Sequence, residues 1–211
     1  GIAYLMKKNK IEVINGFGKL QKGGKVSVNL QDKTTNYTAK HIIVATGARS
    51  RVLPNIAQDG KKIIGYREAL VLSKLPKKMV IVGSGAIGVE FAYFYNAMGV
   101  EVTLIEYLPN IVPVEDVDVS KQLQRSFKKS GINILTKSSV ESVDTKGEGC
   151  KVLVKTTKGT ETIECDVVLS AVGITSNIED IGLEDVGIAV DKDKILVDSY
   201  YQTNIPGHYA I

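Results

Sequence analysis

The chain has 211 residues, 44% hydrophobic and 24% charged, the make-up of an ordinary globular protein with room for one large domain or two small ones. Its formal charge of +4 is dispersed: beyond a small cluster at Lys7, Lys8 and Lys10 there is no basic run with interleaved aromatics, which argues against nucleic acid as a partner. No apolar run approaches the ~20 residues of a membrane-spanning helix and no signal-peptide core opens the chain, so no membrane partner is expected.

In chain order, Ile2–Lys8 reads as the tail of a helix that starts upstream. Residues 11–14, the turn Gly16-Phe17-Gly18, Lys25–Leu30 and residues 36–39 predict a short antiparallel meander, from their near-alternating polarity and turn-rich junctions. Residues 41–45 (HIIVA) run into Thr46-Gly47 as a buried strand entering a tight turn does. Residues 48–76, with Pro54, Gly60, Gly65 and Pro76, read as an irregular linker.

The character changes at Lys78. Residues 79–82 predict a short, fully apolar strand and residues 89–98 a helix, with Val89, Phe91, Ala92, Tyr95 and Met98 on one face and Gly99 as its cap. Residues 101–106 predict the next strand, completing a βαβ unit. Residues 116–130 predict a second helix, acidic at its start and carrying Lys128 and Lys129 at its end, which suits the helix dipole. Strands at Asn133–Leu135, 140–145, 151–157 and 160–164 follow, then a buried strand over 166–172 ending in Gly173. Residues 174–197 are mixed, and the last residues read as part of another strand.

Between the first two elements of the βαβ unit stands Gly83-Ser84-Gly85-Ala86-Ile87-Gly88. A GxGxxG sequence alone is a weak signal; directly after an apolar strand and opening a helix, it is in the context that dinucleotide binding requires. The first glycine permits the turn, the second lets backbone approach a pyrophosphate, and the third lets helix and strand pack closely. Amides at the helix N-terminus, with its dipole, then hold the phosphates. Glu106 follows 18 residues after Gly88 at the end of the second strand, where a carboxylate accepts from ribose hydroxyls and repels a 2′-phosphate. NAD is therefore expected over NADP. Glu90, in the first turn of the helix, is by residue type a helix-start charge.

Cys150 and Cys165 lie 15 residues apart, a spacing that fits neither metal-ligand nor redox patterns. They read as structural thiols in a reducing compartment, with the cytoplasm as the default. No residue qualifies as nucleophile or general base, His41 and His208 have no evident partner, and no metal site is expected.

Residues 80–91 (VIVGSGAIGVEF) resemble the NAD motif of the flavin- and NAD-dependent disulfide oxidoreductases. Four other landmarks agree in order: Asn15-Gly16-Phe17-Gly18, Val44-Ala45-Thr46-Gly47-Ala48-Arg49, Ala171-Val172-Gly173, and residues 203–211 (TNIPGHYAI). The resemblance implies an α/β fold: a Rossmann-like NAD-binding domain, parallel sheet plus antiparallel β-meander, with part of a related FAD-binding domain. The expected division is 1–68 for the partial FAD domain, 69–197 for the NAD domain and 198–211 for a strand returning to the FAD domain.

By the same resemblance, Gly83, Ser84, Gly85, Ala86, Ile87 and Gly88 hold the NAD pyrophosphate and Glu106 the ribose. Val140 and Gly173 line the adenine and nicotinamide sides, Glu90 sits near the nicotinamide, and Gly18, Thr46, Gly47 and Ala48 lie against FAD. The family's N-terminal FAD fingerprint, CxxxxC redox pair and His–Glu base are not in the chain, and its Gly-Asp pair falls beyond Ile211. Ile174-Thr175-Ser176-Asn177 also replaces the commoner Arg-x-Pro-Asn. The chain is thus expected to be a central fragment, inactive and without FAD when isolated. Its full-length parent is expected to be a homodimer, joined through a C-terminal domain, that reoxidises dihydrolipoamide on a lipoyl domain of a 2-oxo acid dehydrogenase complex. Transhydrogenase, mercuric reductase, coenzyme A disulfide reductase and a non-catalytic NAD-binding module stay open as alternatives.

Overall fold

The computed structural model describes residues 1–211, which divide into two compact units: Gly1–Arg49 with Ser176–Ile211, and Ser50–Thr175.

The unit Ser50–Thr175 is built on a five-stranded parallel sheet in the order Ile63–Ile64, Val167–Ser170, Lys78–Val82, Glu101–Ile105, Asn133–Leu135. Side chains alternate across these strands, and both faces are covered. Met79, Ile81, Val102, Leu104 and Leu169 face a core shared with Val89, Ala92 and Tyr95 of the helix Ala86–Ala97 and Phe127 of the helix Val117–Lys129. Val80, Val82, Ile105 and Val168 face the other way, onto Val140, Val152 and Val154 of an antiparallel sheet formed by Ser139–Asp144, Cys150–Thr156 and Gly159–Cys165. Burial on both faces is why these strands read as apolar runs rather than alternating ones.

Local chemistry sets the element ends. Asp116 caps the second helix by accepting from the Asp118 amide at 2.8 Å, and Lys128 and Lys129 close it as expected. The helix Ala86–Ala97 starts three residues earlier than its apolar pattern suggests, since Gly85, in extended backbone, is its N-cap. Of the predicted apolar face, Val89, Ala92 and Tyr95 are buried, whereas Phe91 is half-buried and Met98 exposed; the fourth buried position is Gly88.

The unit Gly1–Arg49 with Ser176–Ile211 holds the meander. Its strands are Phe17–Gln21, Lys25–Leu30 and Lys33–Thr38, so the first lies where a turn was expected, and residues 11–14 form no strand because nothing pairs with them. Gln31 and Asp32, both with positive φ, make the two-residue turn of the second hairpin. Ile42–Val44 pairs in parallel with His208–Ala210, joining the two chain segments. Leu20, Val44, Ile181, Leu183, Ile188 and Ala210 form the core.

The unit boundaries fall at 49/50 and 175/176, not at 68/69 and 197/198. The expected linker is no linker: Ile63 and Ile64 pair with Val168 and Leu169 in the parallel sheet, and the Lys62 ammonium donates to the Thr145 and Gly147 carbonyls. Residues 176–197 in turn pack on the meander, where the Leu20 amide donates to the Ile181 carbonyl at 2.8 Å and Gly182, φ 83°, leaves no room for a β-carbon against Leu20. No helix is long and apolar enough to cross a membrane.

Candidate functional site

At the C-terminal ends of the parallel strands, the unit Ser50–Thr175 opens into a cleft of about 890 Å³, the size and place at which such sheets bind ligands. Its walls include residues 82–87, Glu106, Val140 and Gly173.

The three loop glycines have separate reasons to be glycine. Gly83 has φ 97°, and a β-carbon there would enter the Ala171 carbonyl. At Gly88 a β-carbon would collide with the Gly83 carbonyl and sit 3.6 Å from Ala171 Cβ, so this glycine allows the helix to lie against the sheet. Gly85 is different: its φ is −66° and nothing lies within 4 Å of where a β-carbon would stand. The fold does not require Gly85, and the open space beside it adjoins the first-turn amides of the helix, which by helix geometry lack intrahelical acceptors. This combination suits an anion brought close to backbone.

Glu106 is 7% exposed and faces the cleft. Its carboxylate is held by three donors: Oε2 accepts from the Ser84 amide at 2.9 Å and the Ser84 hydroxyl at 2.6 Å, and Oε1 accepts from the Leu108 amide at 2.8 Å. Its backbone is fixed as well, the amide donating to the Leu135 carbonyl and the carbonyl accepting from the Ser138 amide. The Val112 amide donates to the Ser84 carbonyl at 2.9 Å, and Val112 does so with φ 41°, a left-handed conformation that β-branched residues avoid at a cost of about 1–3 kcal/mol. The strained residue is thus the one whose amide holds the Ser84 carbonyl.

The cleft unites Gly83, Ser84, Gly85, Ala86, Ile87, Glu106, Val140 and Gly173; Gly88 lies behind it, buried against the sheet. It does not include Glu90, which is exposed in a shallow apolar groove with Ala69, Leu70, Phe91 and Phe94. Residues 51–56, which the sequence left in a linker, contribute Arg51 and Asn55. The Arg51 amide donates to the Gly173 carbonyl at 3.0 Å, and Asn55 Nδ2 to the Val140 carbonyl at 2.7 Å. Arg51 is the one cationic side chain in the lining, and its guanidinium donates to the Ile174 carbonyl at 3.3 Å.

In the other unit, Thr46 and Gly47 form an exposed turn, with Gly47 at φ 71° and only Asn177 Nδ2, at 4.0 Å, near its missing β-carbon. Asn177 holds the turn: its amide donates to the Gly47 carbonyl at 2.9 Å and its Nδ2 to the Thr46 carbonyl at 3.1 Å. Arg49 donates to Asn177 Oδ1 at 2.9 Å and to Glu179 Oε2 at 3.1 Å, and the guanidinium holds the Glu179 carboxyl down at about 2. Gly18 lies exposed on the strand Phe17–Gln21, and Ala48 is half-buried. The sequence pattern singled out Asn177 only as part of a departure; its part in holding this turn comes from tertiary contacts.

Cys150 and Cys165 stand opposite each other in register, both buried and unbridged. Burial raises both thiols, Cys165 to about 12, so neither is a thiolate at neutral pH. No group of His, Cys, Asp and Glu side chains could hold a metal ion.

Compared with known proteins, residues 1–211 match the family described as pyridine nucleotide-disulphide oxidoreductase. The chain is 43% identical to dihydrolipoyl dehydrogenase of Rhizobium etli, over 100% of its own length and 47% of that protein. It is 41% identical to leghemoglobin reductase of Glycine max, over 100% of its own length and 41% of that protein. Among solved structures, LpdA of Mycobacterium tuberculosis superposes with a TM-score of 0.87 at 32% identity, covering 99% of this chain and 47% of that one. RclA of Escherichia coli, an HOCl-induced flavoprotein disulfide reductase, gives 0.81 at 25% identity, covering 100% and 49%. The chain spans about half the length of the curated relatives it matches.

Proposed function

The chain belongs to the pyridine nucleotide-disulphide oxidoreductase family, and from that premise we propose that the unit Ser50–Thr175 binds NAD(H), and that the other unit forms part of an FAD-binding domain. The observation that carries the NAD reading is the Glu106 carboxylate, fixed at the wall of a cleft that also contains the glycine loop. A carboxylate so held accepts from a ribose hydroxyl and repels a 2′-phosphate.

The residues present fit the group. Gly85 leaves open space beside the helix N-terminal amides for a pyrophosphate, and the cleft is mostly apolar around Ile87, Val140 and Val172, as suits flat rings. Ser84 and Glu106 would take the ribose side, Val140 the adenine and Gly173 the nicotinamide side. Glu90 would act from outside the cleft lining, near the nicotinamide end. For FAD, the Thr46-Gly47-Ala48 turn offers exposed backbone held by Asn177, and Gly18 offers a side-chain-free strand surface. When bound, nicotinamide and flavin supply the hydride chemistry; this chain supplies grip and orientation.

The names of the relatives support a narrower reading of the full-length protein as a dihydrolipoyl dehydrogenase. It would reoxidise dihydrolipoamide on a lipoyl domain through a redox disulfide, FAD and NAD, as a homodimer. Two buried, unbridged thiols are consistent with work in a reducing compartment such as the cytoplasm.

Calorimetric titration of the 211-residue chain with NAD and NADP tests the site. NAD should bind at least about tenfold more tightly, the worth of a hydrogen bond to a charged group together with charge repulsion. Equal or tighter NADP binding would overturn the assignment.

A further inference from the structure

The GxGxxG pattern leaves its second position open, and here that position is Ser84, whose side chain is wholly buried. Loop geometry alone does not call for a hydroxyl at this point. The hydroxyl nevertheless donates to Glu106 Oε2 at 2.6 Å, beside the amide of the same residue at 2.9 Å. A carboxylate has about four acceptor positions. Ser84 fills two of them and the Leu108 amide a third, which leaves one for a ligand.

We propose that Ser84 is a specificity-determining positioning residue: its hydroxyl holds the Glu106 carboxylate at the cleft wall with one acceptor position free, so that Glu106 takes one ribose hydroxyl and stays in place to repel a 2′-phosphate. This rests on the reading of the unit as an NAD site. Without the hydroxyl, Oε2 keeps only the Ser84 amide, and the carboxylate gains freedom to turn about its last bonds. The ribose hydrogen bond and the repulsion then weaken together. Discrimination between the two nucleotides falls, while the grip of the loop amides on the pyrophosphate, common to both, is unchanged.

The test is a double-mutant cycle read by calorimetry with NAD and NADP on the full 211-residue chain. Ser84→Ala should lower the ratio of NADP to NAD dissociation constants by about tenfold, the effect of losing one charge-assisted hydrogen bond. Ser84→Gly, which also lacks the hydroxyl and suits a loop position, should do the same and serves if the alanine variant folds poorly. In a Glu106→Gln background, Ser84→Ala should leave the ratio unchanged, because the residue acts through the carboxylate. The proposal is overturned if Ser84→Ala weakens both nucleotides equally, leaves the ratio unchanged, or alters it as much when Glu106 is absent. A wild-type chain that binds neither nucleotide, or does not prefer NAD, removes the site assignment itself, before any substitution is made.

Discussion

Two substitutions three residues apart separate what the glycine loop does for the fold from what it does for a ligand. At Gly88 an alanine β-carbon would lie inside the Gly83 carbonyl and 2.9 Å from its carbon, both backbone atoms that cannot swing aside. The helix would have to move off the sheet, an overpacking effect of about 1–3 kcal/mol or somewhat more. At Gly85 the backbone, φ −66° and ψ −174°, is one that alanine adopts freely, and no atom lies within 4 Å. Restricting the unfolded chain stabilises by about 0.4–1 kcal/mol, while alanine is a poorer N-cap than glycine by a similar amount, so the net change should be near zero. Yet the methyl would occupy the space where a pyrophosphate approaches, and NAD affinity should fall about tenfold or more. Urea denaturation followed by circular dichroism and calorimetry with NAD read the two effects apart. Gly88→Ala should lower the denaturation midpoint, and Gly85→Ala should lower affinity alone. The reasoning is refuted if Gly85→Ala destabilises as much as Gly88→Ala, or binds NAD as well as the parent.

Two further outcomes follow from the titrating groups. Glu179, held at about 2 by Arg49 against an ordinary 4.5, contributes stability that is fully present above pH 4.5 and is lost as pH falls toward 2. Glu179→Gln should flatten the acid limb of the urea midpoint between those values, and added salt should shrink the difference because the pair is exposed; an unaltered acid limb would count against the pair. The thiols run the other way: Cys165 is raised from 9 to about 12, so its contribution is complete below pH 9 and declines as pH rises toward 12. Both cysteines should resist a thiol reagent at neutral pH until urea unfolds the chain, and rapid labelling of native protein would contradict their burial.

Much of the candidate site could be read from residue order. The strand, glycine loop, helix and strand of the βαβ unit occupy consecutive residues, so periodicity and turn chemistry located them to within a few positions, and Glu106 followed from spacing. Pairing between distant segments was not legible. The strand Ile63–Ile64 has two residues and no periodicity, and only its parallel neighbour Val167–Ser170 makes it a strand. Glu90 reads from its own position only as a helix-start charge, its place near the nicotinamide came from the resemblance alone, and the structure sets it in a separate groove outside the cleft lining.

Local geometry follows from residue order: where backbone must turn without a β-carbon, where an amphipathic segment winds, and which acid follows the second strand. It took the folded chain to show that Ser84 and Leu108 grip that acid, that Asn177 holds the Thr46-Gly47 turn, and that residues 50–68 belong with the parallel sheet. Those arrangements depend on hydrogen bonds and close approaches between residues far apart in the chain, and a one-dimensional pattern records which groups are available but not which of them meet.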